Sequence, residues 1–197
     1  MPAEVACFEN NAVVTKHLNE QEDFFYYFAF GSNLLTERIH VQVKGAEFVG
    51  VGVLKSFELT FYDHGRRWCG AAASIEPNSD SEVWGCVWRV PNSFSDELDL
   101  QEASYHRLSV SIHIPSHNNT EVVCRTYQYT HHTNMERLPP SPHYKHVIVS
   151  GAIEHGLPDD YVAKLKAILD NGYKGPIPLK LHVLEELNSV QVEEEGY

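Results

Sequence analysis

The run from Phe24 to Phe30, FFYYFAF, constrains this chain more than any other stretch. It is continuously aromatic and apolar, it has no polar residue at alternate places, and Gly31 stops it. That pattern predicts a central strand covered on both faces. Gly31-Ser32-Asn33 then reads as a tight loop. Leu34 to Val43 can continue as a helix, capped by Ser32 or Asn33, with Glu37 near its start. A strand that ends in such a loop before a helix leaves backbone N–H groups pointing one way. With the positive end of the helix dipole, they suit a carboxylate, a phosphate or an oxyanion. An ordinary strand–helix turn with a Ser or Asn cap is the commoner explanation of the same residues.

More strands follow. Phe48–Leu54 and Phe57–Tyr62 are β-rich, Ala71–Ile75 is short, and Val83–Val90 (VWGCVWRV) is a second buried run broken by Pro91 and Asn92. Ser93 is placed to open a helix, with Asp96 three residues on as an approximate capping box. Val110–Ile114 and Val122–Tyr129 read as further strands. Pro139, Pro140 and Pro142 mark a rigid turn, and Tyr144–Glu154 and Asp159–Leu169 read as helices, the first ending at Gly156. Strands come mostly first and helices later, so the expected class is α+β. Many short strands at close spacing predict a small curled mixed or antiparallel β-barrel with flanking helices. The expected division is a flexible extension over 1–22, a single catalytic domain over 23–180, and an acidic tail over 181–197.

Composition decides what such a barrel is for. With 15 Lys and Arg against 27 Asp and Glu, the net charge of -12 repels phosphate backbones, and no basic cluster stands out, so nucleic acid is excluded as a partner. No apolar stretch is long enough to span a bilayer. The four cysteines, Cys7, Cys69, Cys86 and Cys124, match no zinc spacing and read as reduced thiols in a cytosolic protein. His131-His132 and His143 with His146 lack a metal-binding pattern and read as surface or loop histidines. No metal ligand set is assigned. Ser32 is not in a nucleophile-elbow context, and Cys86 reads as core.

A second place for chemistry is the helix after Ser93. At 100° per residue, Phe94, Leu98 and Glu102 fall along one side, which would set Glu102 near an apolar face where desolvation raises a carboxyl pKa toward the range useful for proton transfer. Glu97 flanks that face from the other side, and Asp96 and Asp99 compete, so the pattern leaves Glu102 and Glu97 both open.

Several blocks, in order, resemble the γ-glutamylcyclotransferase family. Phe28-Ala29-Phe30-Gly31-Ser32-Asn33-Leu34-Leu35-Thr36-Glu37-Arg38-Ile39-His40 is similar to the family's Y-G-S-N-L-L region, Glu82–Trp88 to its E-V-W-G-V-V-W strand, and Leu98-Asp99-Leu100-Gln101-Glu102 to its L-D-x-Q-E segment. Pro139–Lys145 is similar to P-P-S-P-x-Y-K, and Gly151 to Tyr161 to the family's downstream G-A-x-x-x-G-L-P-x-x-Y pair of helices. The resemblance runs from about Phe25 to Tyr173. It departs at Phe30, where the family carries Tyr. It departs again past Glu102, where an ungapped comparison sets Ser109 at a family Tyr and a shortened loop would bring Tyr105 there instead.

The resemblance implies an enzyme that closes an L-γ-glutamyl amino acid onto itself, releasing 5-oxoproline and a free amino acid. It implies Glu102 as the catalytic acid and base, and Phe30, Gly31, Ser32, Asn33, Leu34, Tyr105 and Tyr144 as substrate contacts. No organic cofactor or metal is required, and a cytoplasmic homodimer acting on a small γ-glutamyl molecule is implied. Two alternatives stay open here: a sister cyclotransferase acting on γ-glutamylamines or glutathione, and a non-catalytic protein of the same fold that binds a γ-glutamyl ligand.

Overall fold

A computed structural model of the chain describes residues 23–101, 105–117, 120–130, 136–185 and 187. The N-terminal extension expected over 1–22, the acidic stretch 188–197, His131-His132 and Glu102 lie outside the described residues.

Five strands close into a barrel in the order β1-β3-β2-β4-β5. β1 is Phe24–Ala29, β2 Glu47–Gly65, β3 Gly70–Pro91, β4 Tyr105–Ile114 and β5 Thr120–Tyr129. β1 lies between β3, antiparallel from Phe24↔Pro91 to Ala29↔Cys86, and β5, parallel at Tyr27↔Arg125. A strand with neighbours on both edges and covered faces needs no polar alternation, and Phe28 and Ala29 are fully buried. The barrel is therefore mixed, as expected of the sequence.

The strands read separately as Phe48–Leu54 and Phe57–Tyr62 are one element, and so are Ala71–Ile75 and Val83–Val90. The pair β2–β3 runs as a single long antiparallel ladder with register shifts between Phe48 and Gly50, Lys55 and Phe57, and Tyr62 and Gly65. Ser56, at φ 61, absorbs the middle one. Bulges of this kind bend a strand without ending it, which is why a break in the side-chain pattern at Lys55-Ser56 did not mark a turn.

The helices are shorter at the front and close to expectation at the back. Ser32–Leu34 is a single 3₁₀ turn, and α1 is only Thr36–His40; neither carries a side-chain cap from Ser32 or Asn33. Ser93 likewise caps nothing: it sits in a 3₁₀ turn over Asn92–Phe94, and α2 runs Ser95–Gln101. α3, Pro142–Glu154, begins two residues before the expected Tyr144: Pro142, read as part of the turn, sits in its first turn, and Ser141 Oγ accepts from the Tyr144 N–H at 3.1 Å. α4 is Asp159–Ala167. His143 is buried in α3, not on the surface, and burial together with nearby His146 pushes its pKa below the ordinary value.

Core packing extends past the expected boundary at 180. Leu181 and Leu184 are 2% and 3% exposed, and the His182 N–H donates to the Glu37 carboxylate at 3.0 Å. Among the described residues no helix is long and apolar enough to cross a membrane.

Candidate active site

A cavity of about 270 Å³ opens where the end of β1 meets the β2–β3 turn, β4, β5 and α3. That is just under the ~300–1,000 Å³ of common ligand sites, a size for a small molecule of dipeptide scale or less. One wall is the turn after β1: Phe30, Gly31, Ser32 and Asn33, with Tyr27 beneath and Arg38 from α1 behind. Tyr144 from α3 faces it. Ala72 and Ala73 of β3, Tyr105 of β4 and Tyr127 of β5 complete the interior, and Gly65, Arg66, Arg67 and Trp68 form the rim.

Of the seven residues that the resemblance implies as substrate contacts, six line this one cavity: Phe30, Gly31, Ser32, Asn33, Tyr105 and Tyr144. Leu34 does not line the cavity. Its side chain is buried in the core, and its N–H donates to the Gly31 carbonyl at 3.0 Å. The Leu35 N–H is likewise taken by the Ser32 carbonyl at 3.2 Å. This leaves Gly31 and Ser32 as the amides at the start of the turn, without intrahelical acceptors. With a three-residue 3₁₀ turn and a five-residue α1 behind it, the helix dipole adds little. Positive charge comes instead from guanidinium groups.

Gly31 is needed for space. A Cβ there would lie 3.0 Å from Tyr144 Oη and 3.4 Å from the Ala73 side chain, so any side chain would enter the gap a ligand would use. Two tyrosines hold the opposite wall. The Ala73 N–H donates to Tyr144 Oη at 3.2 Å, and the Tyr105 hydroxyl donates to the Ala73 carbonyl at 2.9 Å. Tyr105, not the exposed Ser109, is the ring that β4 delivers to the cavity. Asn33 Nδ2 donates to Tyr27 Oη at 3.1 Å, and the Trp68 ring packs 4.7 Å from that of Tyr144.

Of the competing acids on α2, Glu97 and Asp96 are exposed, while Asp99 is engaged. Asp99 accepts from the Tyr127 hydroxyl and pairs with Arg107 and Arg125. Burial first, then the bond to Asp99, pushes the Tyr127 hydroxyl far above its usual pKa, so it stays a proton donor. Cys86 and Cys124 are buried, and burial raises both thiols, Cys124 to about 12; neither supplies a thiolate. The described lining contains no carboxylate, imidazole or thiol, but it has hydroxyls, an amide and three guanidiniums. It can bind an anion and donate hydrogen bonds.

Arg38, Tyr27, Trp68 and Tyr127 were not singled out from the sequence. Arg38 was accessible to it: Leu34, Leu35, Arg38 and Ile39 share one face at helical spacing, and Arg38 is 1% exposed. An arginine on an apolar face is a signal for a buried charge with a task.

Comparison with known proteins agrees with this geometry. Residues 82–165 match the model of the AIG2-like family. The chain is 44% identical over 167 residues to the γ-glutamylcyclotransferase of Mus musculus, covering 82% of this chain and 87% of the relative. It is 41% identical over 162 residues to that of Homo sapiens, covering 79% and 85%. A solved γ-glutamyl cyclotransferase structure superposes with a TM-score of 0.76 at 38% identity, over 85% of this chain and 99% of the other. YkqA from Bacillus subtilis, at TM-score 0.62 and 22% identity over 77% of this chain and 57% of the other, shares the fold. Barrel and cavity, together with these likenesses, define a small-molecule enzyme. Within that class, the chain belongs to the γ-glutamylcyclotransferase family.

Proposed function

We propose that this enzyme converts L-γ-glutamyl amino acids to 5-oxoproline and a free amino acid, with Glu102 moving the proton. The observation that carries the reading is the convergence of Gly31, Ser32, Tyr105 and Tyr144 on one small cavity rich in guanidinium charge, in a chain of this family.

The chemistry needs no protein nucleophile. The substrate's α-amine attacks its own γ-carbonyl, a C–N bond closes the five-membered lactam, and the bond to the leaving nitrogen breaks. The attacking nitrogen loses one proton and the leaving nitrogen gains one, so a single carboxylate can accept and return it. Holding the chain folded for attack draws on the roughly 7–11 kcal/mol available from orientation. The Gly31 and Ser32 amides take the developing oxyanion, and Arg38 adds positive charge at the buried wall for the glutamyl carboxylate. The family's L-D-x-Q-E segment, matched here by Leu98–Glu102, supports Glu102 in the proton-transfer role. The homodimer and the cytoplasmic setting belong to the same reading.

The test is 5-oxoproline release from L-γ-glutamyl-L-alanine, with glutathione and γ-glutamyl-ε-lysine in parallel. Release from the dipeptide alone is the expected result. Glu102→Gln should lower kcat about 10²–10⁴-fold with KM little changed. Full turnover by that variant would remove Glu102 from the scheme, and no release from folded protein with any of the three substrates would remove the scheme itself.

A further inference from the structure

Most arginines of the described surface are matched to acids. Arg89 reaches Glu47, Arg107 and Arg125 reach Asp99, and Arg137 reaches Glu58 and Glu76. Arg66 and Arg67 differ. Both are exposed, both line the cavity, and among the described residues neither guanidinium has an ion-pair partner. In a chain of net charge -12, two adjacent uncompensated cations at a cavity mouth are not a solvated average of the surface.

The turn that carries them is fixed on both sides. The Cys69 N–H donates to the Gly65 carbonyl at 2.9 Å, Asn171 Nδ2 donates to the Cys69 carbonyl at 2.8 Å, and the Ala71 N–H donates to the Pro139 carbonyl at 3.1 Å. Trp68 is 6% exposed and packs on Tyr144. The backbone is thus pinned while the two guanidiniums reach solvent, which lowers the ordering cost of binding an anion there.

Resting on the cyclotransferase reading, the position of these groups identifies what they meet. The glutamyl part reacts against the buried wall of Gly31, Ser32 and Tyr144, so the leaving amine projects toward the exposed rim. We infer that Arg66 and Arg67 recognise a carboxylate on the leaving group, and that they set a preference for amino acids over simple amines as leaving groups. Guanidinium is the group for this: planar, permanently charged and able to grip a carboxylate through two parallel hydrogen bonds.

The experiment compares kcat/KM for L-γ-glutamyl-L-alanine with that for L-γ-glutamyl-ethylamide, whose leaving amine is the same group without its carboxylate. The wild type should favour the alanine substrate by on the order of tenfold, the size of one charge-assisted contact at a partly exposed site. The preference should shrink as salt is raised. In the Arg66→Gln/Arg67→Gln double variant, the ratio should collapse toward the intrinsic difference between the two amines, and Arg66→Lys/Arg67→Lys should fall between. Both positions are exposed, and a thermal melt checks that each variant is folded. A ratio unchanged in the Gln double variant, with 5-oxoproline still released from both substrates, overturns the role of the arginines and leaves the cyclotransferase reading standing. No 5-oxoproline from either substrate with wild-type protein overturns both.

Discussion

Gly31, Ser32, Asn33 and Tyr144 line the same cavity as Arg66 and Arg67, yet different physics holds the two groups. The inner wall is buried except for half-buried Gly31, and two of its side chains are tied down by hydrogen bonds: Tyr144 to the distant Ala73, with the Ser141 cap at its backbone, and Asn33 to Tyr27. At the rim, the turn is held by its backbone and by buried Trp68, while the Arg66 and Arg67 side chains are left to water. Stability and catalytic geometry are therefore tied together in the inner wall and separable at the rim. A chain built this way can change the molecules it accepts without endangering its fold.

The largest expected effect comes from Gly70, where β3 leaves the rim and meets the support of the inner wall. A Cβ there would stand 2.2 Å from the Ser141 amide nitrogen and 2.8 Å from the Pro140 carbonyl carbon, both backbone. Gly70→Ala should cost about 3 kcal/mol, and a melt should show Tm lower by about 6–12 °C at this chain length. An unchanged Tm would mean that the two walls are not coupled there.

Next is Tyr144→Phe, which removes the acceptor of the buried Ala73 N–H. It should cost about 1–3 kcal/mol, the range for an abandoned buried donor, measurable as a lower urea midpoint. A loss in kcat/KM with no loss of stability would contradict the linkage claimed for this wall.

The third effect is acid-dependent. Burial depresses the His143 pKa, aided by His146; burial also depresses that of His155, against the opposing pull of Glu154 and a bond to the Leu34 carbonyl. A depressed histidine binds fewer protons folded than unfolded. Its stability contribution is thus present above the ordinary value of about 6.5 and is lost as pH falls from there toward the folded pKa. The urea midpoint should decrease between pH 7.5 and pH 5.5, and one that rises would reverse the assignment.

Smallest is the rim itself. Arg66→Gln/Arg67→Gln should move stability by no more than about 0.5 kcal/mol, as for surface positions without contacts. A clear drop in Tm would show that the rim is structural after all.

What the sequence disclosed follows the same division. FFYYFAF and Gly31-Ser32-Asn33 were legible because a strand with both faces covered and a loop of small polar residues leave local marks. The helix α3 was legible to within two residues because the prolines before it act locally, although Pro142 opens the helix and does not end the turn. The union of β2 and of β3 was not, since Ser56 at φ 61 lets the ladder continue across what looks like a break. The caps expected from Ser32, Asn33 and Ser93 failed for a related reason. Each residue has the right side chain, but the chain enters through a 3₁₀ turn instead of a full helix. Leu181 and Leu184 sit in a polar stretch whose burial depends on where the barrel places its surface. The rim arginines carried no local pattern at all: two charges in a turn mean nothing until the cavity beside them is known.

The contact between Trp68 and Tyr144 has a consequence for measurement. Of the three tryptophans, Trp68 alone lines the cavity; Trp88 is in the core, and Trp84 Nε1 is bonded to Glu82. Indole emission responds to its surroundings, so a molecule entering beside Trp68 should alter the protein's fluorescence while the other two rings supply a constant background. The enzyme would then report its own occupancy, and titration with 5-oxoproline or an unreactive analogue would follow binding in real time without a label.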